Sequence, residues 1–263
     1  MANAKKGKQA ARRERVAALR AQQKRAQRRR NLITIGAIAA AAVVIIGLVA
    51  WYAANRSTGG GTAAEVIPPG VGGGPATVQA PAHQVPDTSG IPGVAEYVTT
   101  GWPTTSHNGP AAQALAHDHV DGPVTYSVTP PVGGPHNASW MNCGIYDQSV
   151  PSERAVHNLE HGAIWISYQP SLPQSEVDQL RAFAEKQTMV SPGGAPASRY
   201  MDLTPYPGLS SPIVISSWGF QLKVSSPDDP RLQQFVNKFR ASATYTPEYG
   251  GACTGGVGTP LRT

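Results

Sequence analysis

The sequence lacks the short motifs that mark nucleotide sites and serine hydrolases. It contains no Walker loop, no dinucleotide-binding fingerprint and no Gly-x-Ser-x-Gly elbow. Its glycine runs at 72–74 and 255–256 are not framed by a strand and a helix, as the nucleotide-binding loops require. No nucleotide site is therefore predicted.

Charged side chains are also scarce, at 14% of the 263 residues, whereas 40% of the residues are hydrophobic. This composition suits one soluble domain with appendages better than two full domains. The charge is unevenly distributed, because residues 1–30 hold twelve Lys or Arg residues and a single acid, Glu14. The isoelectric point of about 9.4 therefore reflects the N-terminal tail, and the rest of the chain is net negative.

Residues 32–54 contain no charged side chain at all. As a helix, this segment can cross a hydrocarbon core of about 30 Å, with Trp51 and Tyr52 at its far interface. It is too long for a cleaved signal peptide, which is the alternative. We predict a single-pass helix in the lipid bilayer of the cell membrane, with the basic tail (1–31) cytoplasmic and the remainder extracytoplasmic. The tail's charge then orients the protein, and no nucleic-acid partner is expected.

Beyond the predicted span, glycine and proline dominate residues 55–93, which predicts a flexible stalk. From residue 94 the pattern becomes globular, and residues 254–263 are predicted to be a disordered tail. Strands are predicted at 124–128, 163–168, 212–218 and 220–224, and helices at 171–187 and 228–240. The predicted fold class is α+β: a single compact extracytoplasmic domain over 94–253, with a mixed or antiparallel sheet and two main helices.

The chain has only two cysteines, Cys143 and Cys253, which permit a single intramolecular pair. Outside the cytoplasm these residues are expected to form a disulfide. Closing a loop of about 110 residues is worth ~4–5 kcal/mol in the loop-entropy model. The alternative is that Cys143 acts as a thiolate ligand of copper, together with the thioether of Met141.

Four of the seven histidines lie within 43 residues: His119, His136, His157 and His161. In a helix, His157 and His161 fall on one face, which is the spacing that can hold one metal ion. Imidazole ligands suit zinc or copper. We predict a metal site formed by these four histidines, with Glu160 orienting an imidazole through its ring N–H. The alternative is a structural turn in which the histidines bond to backbone carbonyls.

The segment from His157 to His161 also matches the inverted zincin pattern His-x-x-Glu-His, in which Glu160 would activate a zinc-bound water. Such proteases take a further carboxylate ligand from a second helix downstream. The candidate carboxylates here are predicted in turns or at a helix cap: Asp202, Asp228, Asp229 and Glu248. Zinc hydrolysis is therefore the less favoured hypothesis, and no catalytic residue is assigned.

Four stretches, at 130–148, 156–170, 203–222 and 246–253, resemble the domain of unknown function 3105 family of bacterial membrane-anchored proteins. The family's motifs correspond to Pro135-His136, to His157 and His161, and to Trp218-Gly219. The sequence Pro-Pro-Val-Gly-Gly departs from the family's Pro-Pro-Thr-Ser-Gly. The resemblance implies an exported, anchored domain and points to His136, His157 and His161 as its site, but it implies no substrate.

Two functions from different classes follow. In the first, the exported domain binds copper or zinc through its histidine cluster, in metal handling at the cell surface. In the second, the chain is an accessory or assembly subunit of an envelope membrane complex, which binds a protein partner and uses its histidines structurally.

Overall fold

The computed structural model describes residues 74–99 and 115–263, which belong to one unit that spans Thr62–Thr263. The predicted cytoplasmic tail (1–31) and membrane helix (32–54) lie outside these residues. Within the described ranges, no helix combines the length and the apolar character needed to cross a bilayer.

A six-stranded mixed sheet organises the fold. Its strands lie in the order β2-β3-β8-β7-β5-β6, and only the pair β5–β6 is parallel. The predicted mixed sheet is thereby confirmed, and its hairpin β7–β8 turns at Gly219, where φ is 76°. The strands are β1 Thr77–Val78, β2 Ala82–Val85, β3 Val94–Thr99, β4 Val124–Thr125, β5 Ile164–Tyr168, β6 Met201–Pro205, β7 Ile213–Ser217 and β8 Phe220–Val224.

Three α-helices cover the sheet: α1 Ser152–Glu160, α2 Gln174–Lys186 and α3 Arg231–Phe239. Within residues 94–99 and 115–253, the domain therefore has one helix more than the predicted two main helices. The additional helix is the short histidine-bearing segment. It follows Pro151 and ends before Gly162, whose positive φ of 94° is the left-handed conformation that terminates helices.

Both faces of the sheet are buried, and β5 shows why its sequence is apolar throughout. Ile164 and Ile166 point into a core shared with α2 and α3. Trp165, between them, points into a second core that contains Leu159 of α1. Since successive side chains of a strand alternate between faces, a strand buried on both faces reads as a continuous apolar run.

The predicted stalk is wrong from residue 77 onward. Strand β2 pairs with β3, and β1 pairs in parallel with β4 in a separate two-stranded sheet. The predicted strand at 124–128 forms a ladder only in its first two residues, because β1 is equally short. Proline and glycine content misled the sequence prediction here, since backbone pairing with a distant strand leaves little local signal.

The predicted disordered tail is also wrong. The amide of Asn142 donates hydrogen bonds to the carbonyls of Gly256 and Gly258, and Leu261 N–H donates to Ile145 O. Ile145 in turn forms a β-bridge with Leu203 of β6. The C-terminal residues therefore pack onto the segment that covers the outer side of β6.

Replacing Gly162 with alanine is expected to destabilise the fold by about 2–3 kcal/mol, from left-handed backbone strain plus a steric clash. A Cβ atom there would lie 2.7 Å from Thr246 Oγ1 and 3.1 Å from Ala241 Cα. Gly194→Ala is the matched control, because its φ is 88° and a Cβ would meet nothing within 4 Å. Urea unfolding measures the free energy of unfolding of both variants, and the difference between them gives the cost of the clash at Gly162. Equal losses in the two variants would contradict this prediction.

Candidate metal centre

Helix α1 and a short β-bridge bring the predicted histidines together. His157 and His161 lie one turn apart at the end of α1. His119 and His136 are paired in a parallel bridge, in which Val120 N–H donates to His136 O at 2.7 Å and His136 N–H donates to Asp118 O at 3.0 Å. All four imidazole rings meet around His157, whose centroid lies 4.4–5.1 Å from those of the other three.

The Nδ1 atoms of three histidines each face a backbone carbonyl. His136 Nδ1 lies 2.8 Å from Gly134 O, His157 Nδ1 lies 2.7 Å from Asn137 O, and His161 Nδ1 lies 2.7 Å from Ala252 O. A carbonyl oxygen can only accept a hydrogen bond, so in each contact the Nδ1 atom carries the hydrogen. In a neutral ring the Nε2 atom is then an unprotonated donor of a lone pair, which is the arrangement typical of metal-binding histidines.

These Nε2 atoms face other acceptors at hydrogen-bond distance. The two Nε2 atoms of His157 and His161 are 2.9 Å apart, and His136 Nε2 lies 2.8 Å from Glu160 Oε2. Glu248 Oε2 lies 3.2 Å from His161 Nε2. Lone pairs in such contacts repel each other unless a proton or a metal ion lies between them.

Without a metal ion, these contacts are relieved only if the site takes up protons beyond those of neutral imidazoles and ionised carboxylates. The contacts of His161 need one extra proton, and the contact between His136 and Glu160 needs another. Burial lowers the pKa of His157 to about 4. Its ring is therefore neutral at pH 7 and does not take up an extra proton. The His161 ring holds the pKa of the Glu248 carboxyl below its usual range, chiefly through their hydrogen bond. A divalent cation bound in either group would replace the proton that is missing there.

Two groups of ligand atoms are close enough to hold a metal ion, and they share His157. The inner group is His119, His136, His157 and Glu160, and the outer group is His157, His161 and Glu248. Within each group the ligand atoms lie within 4.8 Å of one another. Because His157 has one free lone pair, both groups cannot use it for separate ions at the same time.

Each group combines buried ligands with one ligand that is exposed to solvent: His119 in the inner group, with a side chain 50% exposed, and Glu248 in the outer group. His136 is completely buried, and Glu160 is 4% exposed, whereas the Glu248 side chain is 59% exposed. The Trp140 ring lies 5.6 Å from the His157 ring and 5.3 Å from the His161 ring, measured between centroids. An ion can therefore reach the inner group beside His119 or the outer group beside Glu248.

The structure brings all four predicted histidines together, and it changes the role of Glu160. Its carboxylate lies among the ligand atoms instead of behind an imidazole N–H. Glu248 was named only as a candidate carboxylate of the zincin pattern and not as a ligand beside the four histidines, because it follows α3 and is 87 positions from His161 in sequence. The predicted disulfide could have indicated this position, because it links the segment of Glu248 to the region that contains the histidines.

The disulfide between Cys143 and Cys253 is present, with its Cα atoms 5.3 Å apart. This finding excludes Cys143 as a thiolate ligand in the oxidised protein. The remaining donors are imidazole nitrogens and carboxylate oxygens, which suit Zn²⁺ and Cu²⁺ better than Cu⁺.

The structure places a carboxylate, that of Glu248, beside the two histidines of the inverted zincin pattern. The expectation that Glu248 lies in a turn is met, yet its carboxylate reaches His161 from that turn. His157, His161 and Glu248 thus provide two imidazoles and one carboxylate, a ligand set used by catalytic zinc sites.

Comparison with known families gives two matches. The family described as "Protein of unknown function (DUF3105)" matches residues 117–255, which is 139 of the 263 residues. A second family, described as "Inhibitor of host cell division protein domain", matches residues 9–64, outside the described ranges. No curated protein and no solved structure matches. The first match includes every histidine and glutamate of the two ligand groups.

Proposed function

We propose that the chain, which belongs to the DUF3105 family, uses its described domain to bind one transition-metal ion, zinc or copper. The ion would be held by Nε2 atoms of the histidine cluster, with Glu160 or Glu248 completing its coordination. The observation that carries this proposal is that three Nδ1 atoms face carbonyls while the matching Nε2 atoms face one another or a carboxylate.

The proposal includes a location. Residues 32–54 would anchor the protein in the bilayer as a single-pass helix, and residues 55–73 would link this anchor to the domain outside the cytoplasm. The disulfide supports an oxidising compartment, because cytosolic proteins rarely keep such a bond. The domain would then handle zinc or copper at the cell surface.

The full chain, purified without chelator, is expected to bind about one equivalent of Zn²⁺ or Cu²⁺, since the two groups share His157. Metal analysis and calorimetric titration measure the stoichiometry. His83→Ala is the matched control, because it removes a histidine on β2, outside both groups, and should leave binding unchanged. A folded wild-type chain that takes up neither ion would overturn the proposal.

A second candidate function, metal-assisted hydrolysis, is favoured by the position of Glu248. If the outer group holds zinc, Glu160 would act as general base for the bound water. Glu160→Gln would then retain the ion on His157, His161 and Glu248 but lose hydrolytic activity towards peptide substrates. Equal activity in wild type and variant would exclude this function.

A metal-free, folded chain would support the accessory-subunit alternative. In that case the histidines would be structural, and the domain would bind an envelope protein or a membrane complex. Gentle detergent extraction of the full chain should then recover a stoichiometric membrane-protein partner. Recovery of the chain alone, loaded with metal, would count against this alternative.

A further inference from the structure

The disulfide holds one wall of the outer group. Cys253 follows Ala252, whose carbonyl accepts the hydrogen bond from His161 Nδ1 at 2.7 Å. Cys143 N–H donates to Cys253 O at 2.8 Å, beside the covalent link itself. The position of the Ala252 carbonyl, and with it the orientation of the His161 ring, therefore depends on the disulfide.

The residues just before Cys253 also fix His161. Gly251 packs so closely on the imidazole that a Cβ atom there would overlap the ring. The Gly251 carbonyl accepts a hydrogen bond from Tyr200 Oη at 2.8 Å, and Glu248 N–H donates to Glu160 O at 3.0 Å. Because these bonds do not involve sulfur, loss of the disulfide would loosen residues 248–253 without unfolding this segment.

A buried polar pair surrounds the disulfide on the side of α1. Asn158 Nδ2 lies 3.4 Å from Cys143 Sγ and 2.8 Å from Asp202 Oδ2, and Asp202 Oδ2 lies 3.9 Å from the same sulfur. Asp202 is completely buried, and in the described residues no cationic side chain pairs with it. Asn158 Oδ1 has no hydrogen-bond partner among those residues.

We propose that the Cys143–Cys253 disulfide is a redox-responsive clamp on the outer group, and that its reduction by a dithiol weakens metal binding through His161 and Glu248. This inference rests on the proposed metal-binding function. It identifies the regulator by class, as a dithiol reductant that can reach Cys143. Both cysteines are buried, Cys143 at 2% and Cys253 at 0% exposure, and Cys143 borders a small surface cavity with Gly144, Arg199 and Thr263, which is the side from which a dithiol would approach.

The exchange is balanced by the dithiol. Its first thiolate attacks Cys143 Sγ and forms a mixed disulfide there, while the bond to Cys253 breaks and Cys253 leaves as a thiolate that takes a proton from solvent. Its second thiol then closes the reductant to its own disulfide and releases the chain. Two electrons and two protons pass to the protein, which ends with two thiols. The Asp202 carboxyl is placed to protonate the thiolate that leaves at Cys143, and it recovers its proton from the reductant through solvent.

The test uses the full chain and Zn²⁺ as the probe. The dissociation constant is measured for the oxidised chain, for the chain reduced by a dithiol and desalted without oxygen, and for a Cys143→Ser/Cys253→Ser variant. The double variant contains no thiol that can bind zinc by itself. We expect binding to weaken by about 10-fold or more in both altered forms, the range seen when groups that orient metal-binding histidines are removed.

The same comparison in a His161→Ala background locates the effect. There the outer group is already incomplete, so reduction should change the dissociation constant little. Equal affinity of oxidised and reduced wild type would overturn the clamp, as would an undiminished redox effect in His161→Ala. If the double serine variant does not fold, the reduced wild type decides the question. Absence of zinc binding in every form would instead refute the proposed function.

Discussion

A His157→Ala variant of the full chain is expected to bind no Zn²⁺ or Cu²⁺ under conditions that saturate the wild type. His157 is the only residue that belongs to both ligand groups. His136→Ala leaves the outer group intact, and His161→Ala leaves the inner group intact, so these variants should retain weaker binding. Losing a direct ligand should weaken binding at least about 100-fold, the upper end of the loss seen for residues that only orient ligands.

The stability of the same variant separates a metal site from a structural turn. In the metal-free chain, His157→Ala removes a repulsive contact with His161 but also the buried hydrogen bond to Asn137 O, so the free energy of unfolding should fall by about 1–3 kcal/mol. With zinc at a thousand times the wild-type dissociation constant, the wild type should gain about 4 kcal/mol, whereas a 100-fold or larger loss of affinity limits the gain of His157→Ala to about 1.4 kcal/mol or less.

Urea unfolding with and without zinc measures both quantities, and His83→Ala provides the wild-type-like control. A large loss of stability in the metal-free variant, with no gain from zinc in the wild type, would mean that the histidines are structural.

Raising the pH from 4 to 8 is expected to cost the metal-free chain about 4 kcal/mol of stability through Asp202. Burial raises the pKa of this carboxyl from 3.8 to about 7, against the opposing hydrogen bonds from Asn158 and Gly144. The folded chain therefore binds more protons than the unfolded chain between these values. The contribution of Asp202 to the free energy of unfolding is therefore largest below pH 4. It falls as the pH rises and is lost above pH 7.

Asp202→Asn should remove this dependence, making the variant more stable than the wild type at pH 8 and similar at pH 4. The asparagine can still accept from Gly144 N–H, and its own amide can donate to Asn158 Oδ1, which has no hydrogen-bond partner in the described ranges. Urea unfolding in the presence of chelator at pH 4, 6 and 8 gives the difference. Asp178→Asn, at a 61% exposed side chain, controls for the loss of a carboxyl, and parallel curves for wild type and Asp202→Asn would contradict the prediction.

Local patterns predicted the elements whose signals are local. The apolar run of β5, the hairpin at Gly219 and the helical spacing of His157 and His161 all occur where the sequence indicates. Strands β1 and β2 could not be predicted, because their stability comes from pairing with β4 and β3. Their own sequence reads as a proline- and glycine-rich linker.

The candidate site was predictable only in part for the same reason. Clustering of histidines in sequence indicated a metal site, but nothing local placed Glu248 against His161. Its position depends on how the chain returns after α3 and on the disulfide that fixes it. The burial of Asp202 was equally hidden, since β6 is covered by residues that come from two distant parts of the chain.

The covering of β6 also bears on how the domain associates with itself. An exposed sheet edge can add a strand from another molecule and start aggregation. Tyr146 N–H donates to Leu203 O, and Leu203 N–H donates to Gly144 O, so the edge at β6 is closed to such addition. The opposite edge is β2, which spans only Ala82–Val85. In the described part of the chain, strand addition to the six-stranded sheet would therefore be confined to this four-residue edge, which is too short to propagate readily.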